Sequence, residues 1–238
     1  MSKLLNFKKV EKPVFKLNNA ATSAEIIMYG AIGEDWWDDA AMSAVKFNEE
    51  LKKLPSSVSE IVIRLNSPGG NVFDGMTIYE RLKQHKAKVT VYVDGLAASI
   101  ASVIALAGDE IIIGDGAMMM IHKPLAGVYG NSEELLKMID LLDKVEEQLI
   151  TIYSKKMDKS RIEIAKMLSD TTWFTSDESV EAGLADTKFE NCENLYIAAS
   201  MLDKAHWLKD KPKIKSMNDV VREKLKQVQK DAEGFLAR

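Results

Sequence analysis

Glu60–Asn66, EIVIRLN, is a β-rich run that stops at Ser-Pro-Gly-Gly and gives way to a helical pattern over Phe73–His85. Lys88–Gly95, KVTVYVDG, repeats the sequence of events, with an apolar helix behind Ser99. A strand that feeds a helix and then a second strand returns to the same sheet by a right-handed crossover, which leaves the strands parallel. This alternation constrains the chain more than any other feature, and the flanking segments continue it. Ala24–Gly33 reads as a strand ended by glycine, and residues 36–54 carry Trp37, Ala41, Ala44, Phe47 and Leu51 at helical steps. DEIIIGDGAMMMIHKP holds two short strands, Asn131 opens a long helix reaching about Met157, and Ser160–Met167 is a shorter one. The fold class is α/β with a largely parallel sheet.

Composition narrows the function. Apolar residues are 46% and charged residues 29%, as in ordinary globular domains, and the net charge of −4 argues against bulk nucleic-acid binding. The charge is uneven: Lys209–Arg238 has nine Lys/Arg against five Asp/Glu, so the tail is +4 and the rest −8. One cysteine, Cys192, excludes an internal disulfide framework and suits a reducing compartment. No apolar run approaches the ~18–20 residues of a membrane span, so no membrane partner is expected and the reading is cytoplasmic. Three segments are expected: an N-terminal arm over 1–22, a core domain over 23–190, and an extension over 191–238. The extension holds a charged, Pro-interrupted linker and an amphipathic helix from Met217 to Phe235.

Gly95-Leu-Ala-Ala-Ser99 places one hydroxyl where a strand turns into a buried helix. Ser there is either an N-cap, whose side chain accepts a backbone N–H bond, or a nucleophile on a tight turn. Acyl transfer also needs a base, a group to orient it, and donors for the oxyanion. His85 ends a polar helix, where contact with the terminal carbonyls explains it, and His206 lies in the irregular C-terminal part. His122 ends a strand-like Ala-Met-Met-Met-Ile and is the candidate base. Pro68-Gly69-Gly70 lets backbone N–H groups face open space.

NSPGG at 66–70, GLAAS at 95–99 and MIHKP at 120–124 together resemble the ClpP family of self-compartmentalised serine proteases, over roughly Ala24–Asp186. GAIGEDWWDD, the run from Val72 to Ser102 and the C-terminal extension resemble its phage head-maturation (prohead) branch. The resemblance implies a ClpP/crotonase-like superhelix of β-β-α units, ring-forming homo-oligomers, and peptide-bond cleavage with neither metal nor cofactor. It implies Ser99 as nucleophile, His122 as general base, and the N–H groups of Gly70 and Ile100 as the oxyanion hole. The family's orienting acid precedes the aromatic matching Trp173 by two residues, where this chain has Thr171; Asp170, one place earlier, is the candidate.

The leading expectation is an endopeptidase that cleaves scaffold or capsid precursors during head assembly, in the host cytoplasm or inside the assembling head. The alternatives are a housekeeping ClpP-type subunit fed by an unfoldase, a crotonase-type enzyme acting on acyl-CoA, and a non-catalytic assembly protein. The long helix from Asn131 carries more apolar surface than one sheet face covers, so part of it is expected to meet another subunit.

Overall fold

A computed structural model describes residues 15–17, 22–34 and 41–189, all within a unit that ends at Glu190. Its strands are β1 (Phe15–Leu17), β2 (Ser23–Tyr29), β3 (Glu60–Ser67), β4 (Lys88–Ala98), β5 (Glu110–Ile113), β6 (Met118–Ile121), β7 (Thr172–Phe174) and β8 (Thr187–Lys188). Its helices are α1 (Ala44–Lys53), α2 (Val72–Lys83), α3 (Ile100–Ala105), α4 (Ser132–Tyr153), α5 (Arg161–Asp170) and α6 (Ser176–Glu181). The expected amphipathic helix, its linker, Cys192 and His206 lie outside the described residues, as does most of the N-terminal arm.

The sheet runs β1-β2-β3-β4-β5-β8, with β6 beside β4 and β7 beside β6. The pairs β2–β3, β3–β4, β4–β5, β4–β6 and β5–β8 are parallel, as the crossovers require. Among the described strands, only the flanking pairs β1–β2 and β6–β7 are antiparallel. Burial along β2 and β3 alternates strictly, so Ile26, Met28, Ile61, Ile63 and Leu65 face the core. α3 is buried at every residue, which explains its lack of polar periodicity.

β4 is longer than its apolar run suggests. Leu65 pairs with Val93, but Ser67 pairs with Ala97, so β4 carries extra residues around Gly95. A bulge of this kind bends a strand and re-aims its later residues. Residues 90–93 of β4 pair with β5, and residues 96–98 pair with β6. The strand therefore continues through Leu96-Ala97-Ala98 and delivers Ser99 beside the end of β6.

The helix expected over 36–54 begins only at Ala44. Ser43 caps it through a Lys46 N–H bond of 3.3 Å, while Met42 bridges to Ile32. In α4, Asn131 and Glu134 form a reciprocal capping box. The C-terminal half of α4 docks through Val145, Leu149, Ile150, Ile152 and Tyr153. Its N-terminal half leaves Leu135, Leu136, Ile139 and Leu141 exposed.

Candidate active site

Ser99 occupies the residue before α3, yet it does not cap the helix. Its side chain makes no capping bond; instead Oγ lies 2.8 Å from Nε2 of His122. Its backbone, at φ 55° and ψ −131°, is in a region that a residue with a side chain occupies at a cost of about 1–3 kcal/mol. Such strain persists only where the surroundings over-determine it. The surroundings do so here. Ser99 N–H donates to the Met120 carbonyl at 2.8 Å, and the Ser99 carbonyl accepts from the Ser102 N–H at 3.0 Å and the Ser102 hydroxyl at 2.6 Å. The Ser99 amide is thus already engaged, whereas Ile100 N–H belongs to the first helical residue, which has no partner within its own helix.

His122 follows β6, which lies beside β4 at Leu96–Ala98. The chain after it is fixed by Lys123, whose N–H donates to the Leu168 carbonyl at 3.1 Å and whose Nζ pairs with Glu146 at 3.0 Å. Partial burial holds the imidazole below its ordinary pKa, and a hydrogen bond with the Lys123 backbone acts in the opposite direction. Action of His122 as a base on Ser99 needs Nε2 as the acceptor, which places the ring proton on Nδ1.

Gly69 and Gly70 pass directly beside this pair. A Cβ on Gly69 would stand 2.7 Å from Ser99 Cβ and 3.2 Å from Ile100 N. Gly70 bridges to Ile32 in parallel fashion: Ile32 N–H donates to the Gly69 carbonyl at 2.9 Å, and Asn71 N–H to the Ile32 carbonyl at 2.8 Å. In such a bridge the middle residue, Gly70, turns its own N–H and C=O to the opposite side. Its φ is 151°, and a Cβ here would stand 2.0 Å from the Ile32 carbonyl oxygen, so the position has room for glycine alone.

Asp170 is not brought to His122. Its carboxylate pairs with Lys166 one turn back on the exposed face of α5. The β6–β7 register gives the physical reason. Ile121 pairs with Thr172, so the position opposite His122 is Thr171. Thr171 is the left-handed residue (φ 54°, ψ 73°) that ends α5 and turns the chain into β7, so Asp170 stays on the helix. Among the described residues no carboxylate hydrogen-bonds His122, and none group as metal ligands. His85 also differs from expectation: its Nδ1 accepts from Ala87 N–H at 3.1 Å, and burial together with Lys86 and Arg81 lowers its pKa. Sequence reasoning missed Ser102 and Tyr153, whose hydroxyls lie 2.7 Å apart beneath Ser99. The Ser102 spacing of three residues from Ser99 was a visible signal.

An α/β fold that strains a serine onto a strand-to-helix turn and sets its hydroxyl 2.8 Å from a histidine nitrogen has the arrangement that serine-type hydrolysis needs. The chain belongs to the Clp protease family, whose profile matches residues 14–191, and is a serine-type endopeptidase. It is 32% identical over 153 residues to ATP-dependent Clp protease proteolytic subunit 1 of Chlamydia abortus, covering 63% of this chain and 79% of that protein. It is 33% identical over 133 residues to the ATP-dependent Clp protease proteolytic subunit of Porphyromonas gingivalis (55% and 60%). The corresponding subunit of Deinococcus radiodurans is 30% identical over 129 residues (53% and 63%). The chain spans less than two thirds of the last two proteins.

Proposed function

We propose that this chain is a ClpP-type proteolytic subunit working by a Ser99–His122 dyad. The observation that carries the reading is the 2.8 Å contact between Ser99 Oγ and His122 Nε2, made by a hydroxyl that forgoes the cap available to it. His122 Nε2 takes the Ser99 proton as Oγ attacks the scissile carbonyl. The carbonyl oxygen becomes an oxyanion held by the N–H groups of Gly70 and Ile100. His122 then returns the proton to the leaving amine, and water hydrolyses the acyl-enzyme by the same steps. No carboxylate is assigned to the mechanism, in which Nδ1 carries the ring proton while Nε2 accepts from Ser99.

The names of the relatives support a proteolytic subunit of an ATP-dependent protease, and membership of the Clp protease family supports a ring-forming subunit that degrades protein chains. The exposed apolar face of Leu135, Leu136, Ile139 and Leu141 supports self-association. A second reading, a head-maturation endopeptidase cutting scaffold or capsid precursors, is favoured by one observation: the basic segment beyond residue 191 lies outside the family match. The test is cleavage by the purified chain and by Ser99→Ala. The proposal expects hydrolysis of a short peptide by the parent and none by the variant. Digestion of a globular protein with an ATP-driven unfoldase supports the first reading, and limited cutting of a co-expressed capsid precursor the second. A Ser99→Ala chain that cleaves as fast as its parent overturns both.

A further inference from the structure

The hydrogen bonds beneath Ser99 form a chain with a direction. Ser102 Oγ donates its single proton to the Ser99 carbonyl at 2.6 Å, so in the 2.7 Å contact between the two hydroxyls Tyr153 is the donor. The order is Tyr153 O–H to Ser102 O–H to the Ser99 carbonyl. That carbonyl and the Ile100 N–H belong to one trans peptide group, in which the two point in opposite directions. Fixing the carbonyl downward therefore fixes the N–H upward, and successive donors polarise one another along such a chain.

We propose that Tyr153 and Ser102 are positioning residues that aim and polarise the Ile100 N–H as an oxyanion donor. The inference rests on the reading of Ile100 N–H as half of the oxyanion hole. The plain alternative is that two buried hydroxyls merely satisfy each other, since buried polar groups are generally bonded. Two facts favour the relay. The Ser99 carbonyl already accepts the Ser102 backbone N–H at 3.0 Å, so it does not need the hydroxyl for satisfaction. The extra bond also falls on a peptide whose ψ, at −131°, has to be held against strain. Tyr153 and Ser102 lie at 2% and 0% exposure, so no water competes for either bond. Burial also raises the Tyr153 pKa, which keeps its proton in place at every working pH.

The test uses the full chain with Ser102→Ala, Tyr153→Phe and the double variant, measuring kcat and KM on a short peptide together with the urea midpoint. Losing an oxyanion donor outright lowers the rate ~10²–10³-fold, and loosening one is expected to lower kcat roughly tenfold with KM unchanged. Ser102→Ala should show that fall and also a lower midpoint, because it leaves the Tyr153 hydroxyl buried without a partner. Tyr153→Phe should cost about twofold or less, since Ser102 still donates. The double variant separates the two roles: it removes the orphaned hydroxyl, so the midpoint should recover while kcat stays low. A kcat that recovers with the midpoint, a parental kcat in Ser102→Ala, or a larger loss in Tyr153→Phe than in Ser102→Ala overturns the relay. If Ser99→Ala is inactive while these variants keep parental kcat, the relay alone fails. An active Ser99→Ala chain removes the reading beneath it.

Discussion

Gly70→Ala tests the oxyanion geometry at a position that touches neither Ser99 nor His122 chemically. The added methyl would stand 2.0 Å from the Ile32 carbonyl oxygen and 2.9 Å from Ile32 C and N, all of them backbone atoms. Non-bonded carbon–oxygen contacts this close do not persist, so the Gly70 segment has to retreat by about 1 Å. Retreat breaks or stretches the two bonds that pin it, Ile32 N–H to the Gly69 carbonyl and Asn71 N–H to the Ile32 carbonyl. Two such bonds are worth about 1–3 kcal/mol together, and a side chain at a φ of 151° adds about 1–3 kcal/mol of strain. A total of about 2–6 kcal/mol is a large share of a typical ~5–15 kcal/mol, yet it leaves a folded population at 25 °C. Catalysis should suffer more. Moving a donor by about 1 Å costs up to ~10²-fold, and losing it ~10²–10³-fold. The assay is kcat/KM on a short peptide beside a urea titration, with Gly116→Ala as control, because a Cβ there meets nothing within 4 Å. The expected result is a fall of about 10²-fold or more in kcat/KM in protein still folded by its urea curve. Parental kcat/KM in Gly70→Ala refutes the assignment.

Three further outcomes follow from the same geometry. The acid limb of kcat/KM should have its midpoint below the ordinary histidine value of about 6.5, since burial favours the neutral His122 that the mechanism needs; a midpoint above about 7 would point to a carboxylate at the ring. The sign for stability is the same: the unfolded chain takes up the proton first, so His122 erodes stability as pH falls from about 6.5 to its lower folded value. Thr171→Asp puts a carboxylate opposite His122 at a left-handed position that Asp tolerates better than a β-branched residue, and should move the acid limb upward by pH-rate measurement; an unmoved limb means the side chain does not reach the ring. Asp170→Asn removes a solvent-exposed pair with Lys166 and should change kcat/KM by less than about twofold and stability by less than ~1 kcal/mol, whereas a hundredfold loss would restore Asp170 to the site.

The sequence carried the fold because its strands and helices have different periods and sharp punctuation. EIVIRLN followed by Ser-Pro-Gly-Gly, and Asn131 followed by Glu134, are local signals that tertiary packing only reinforces. Gly95 was misleading for a physical reason: it marks a bulge, where a strand changes partner, and not a strand end. The start of α1 was likewise hidden, because Ala41 is apolar at helical spacing but is buried, with Met42, ahead of the helix. At the site, Ser99 and His122 were legible as residues on a turn and at a strand end. That Ser99 does not cap α3 rests on the φ of 55° and the direction of Oγ, which go with the bonds to Met120 and Ser102 and have no one-residue signature. The position of Asp170 depended on a register of single residues between β6 and β7, which spacing along the chain does not encode.

The proposed mechanism makes Ser99 a hydroxyl activated by His122, with no carboxylate partner among the described residues. Labelling by a fluorophosphonate, followed by intact mass and peptide mapping, addresses it most directly. One label is expected, on Ser99, formed ~10²–10⁴-fold more slowly in His122→Ala and at an essentially parental rate in Asp170→Asn. Labelling of His122→Ala at the parental rate, or a label on any residue other than Ser99, would contradict it.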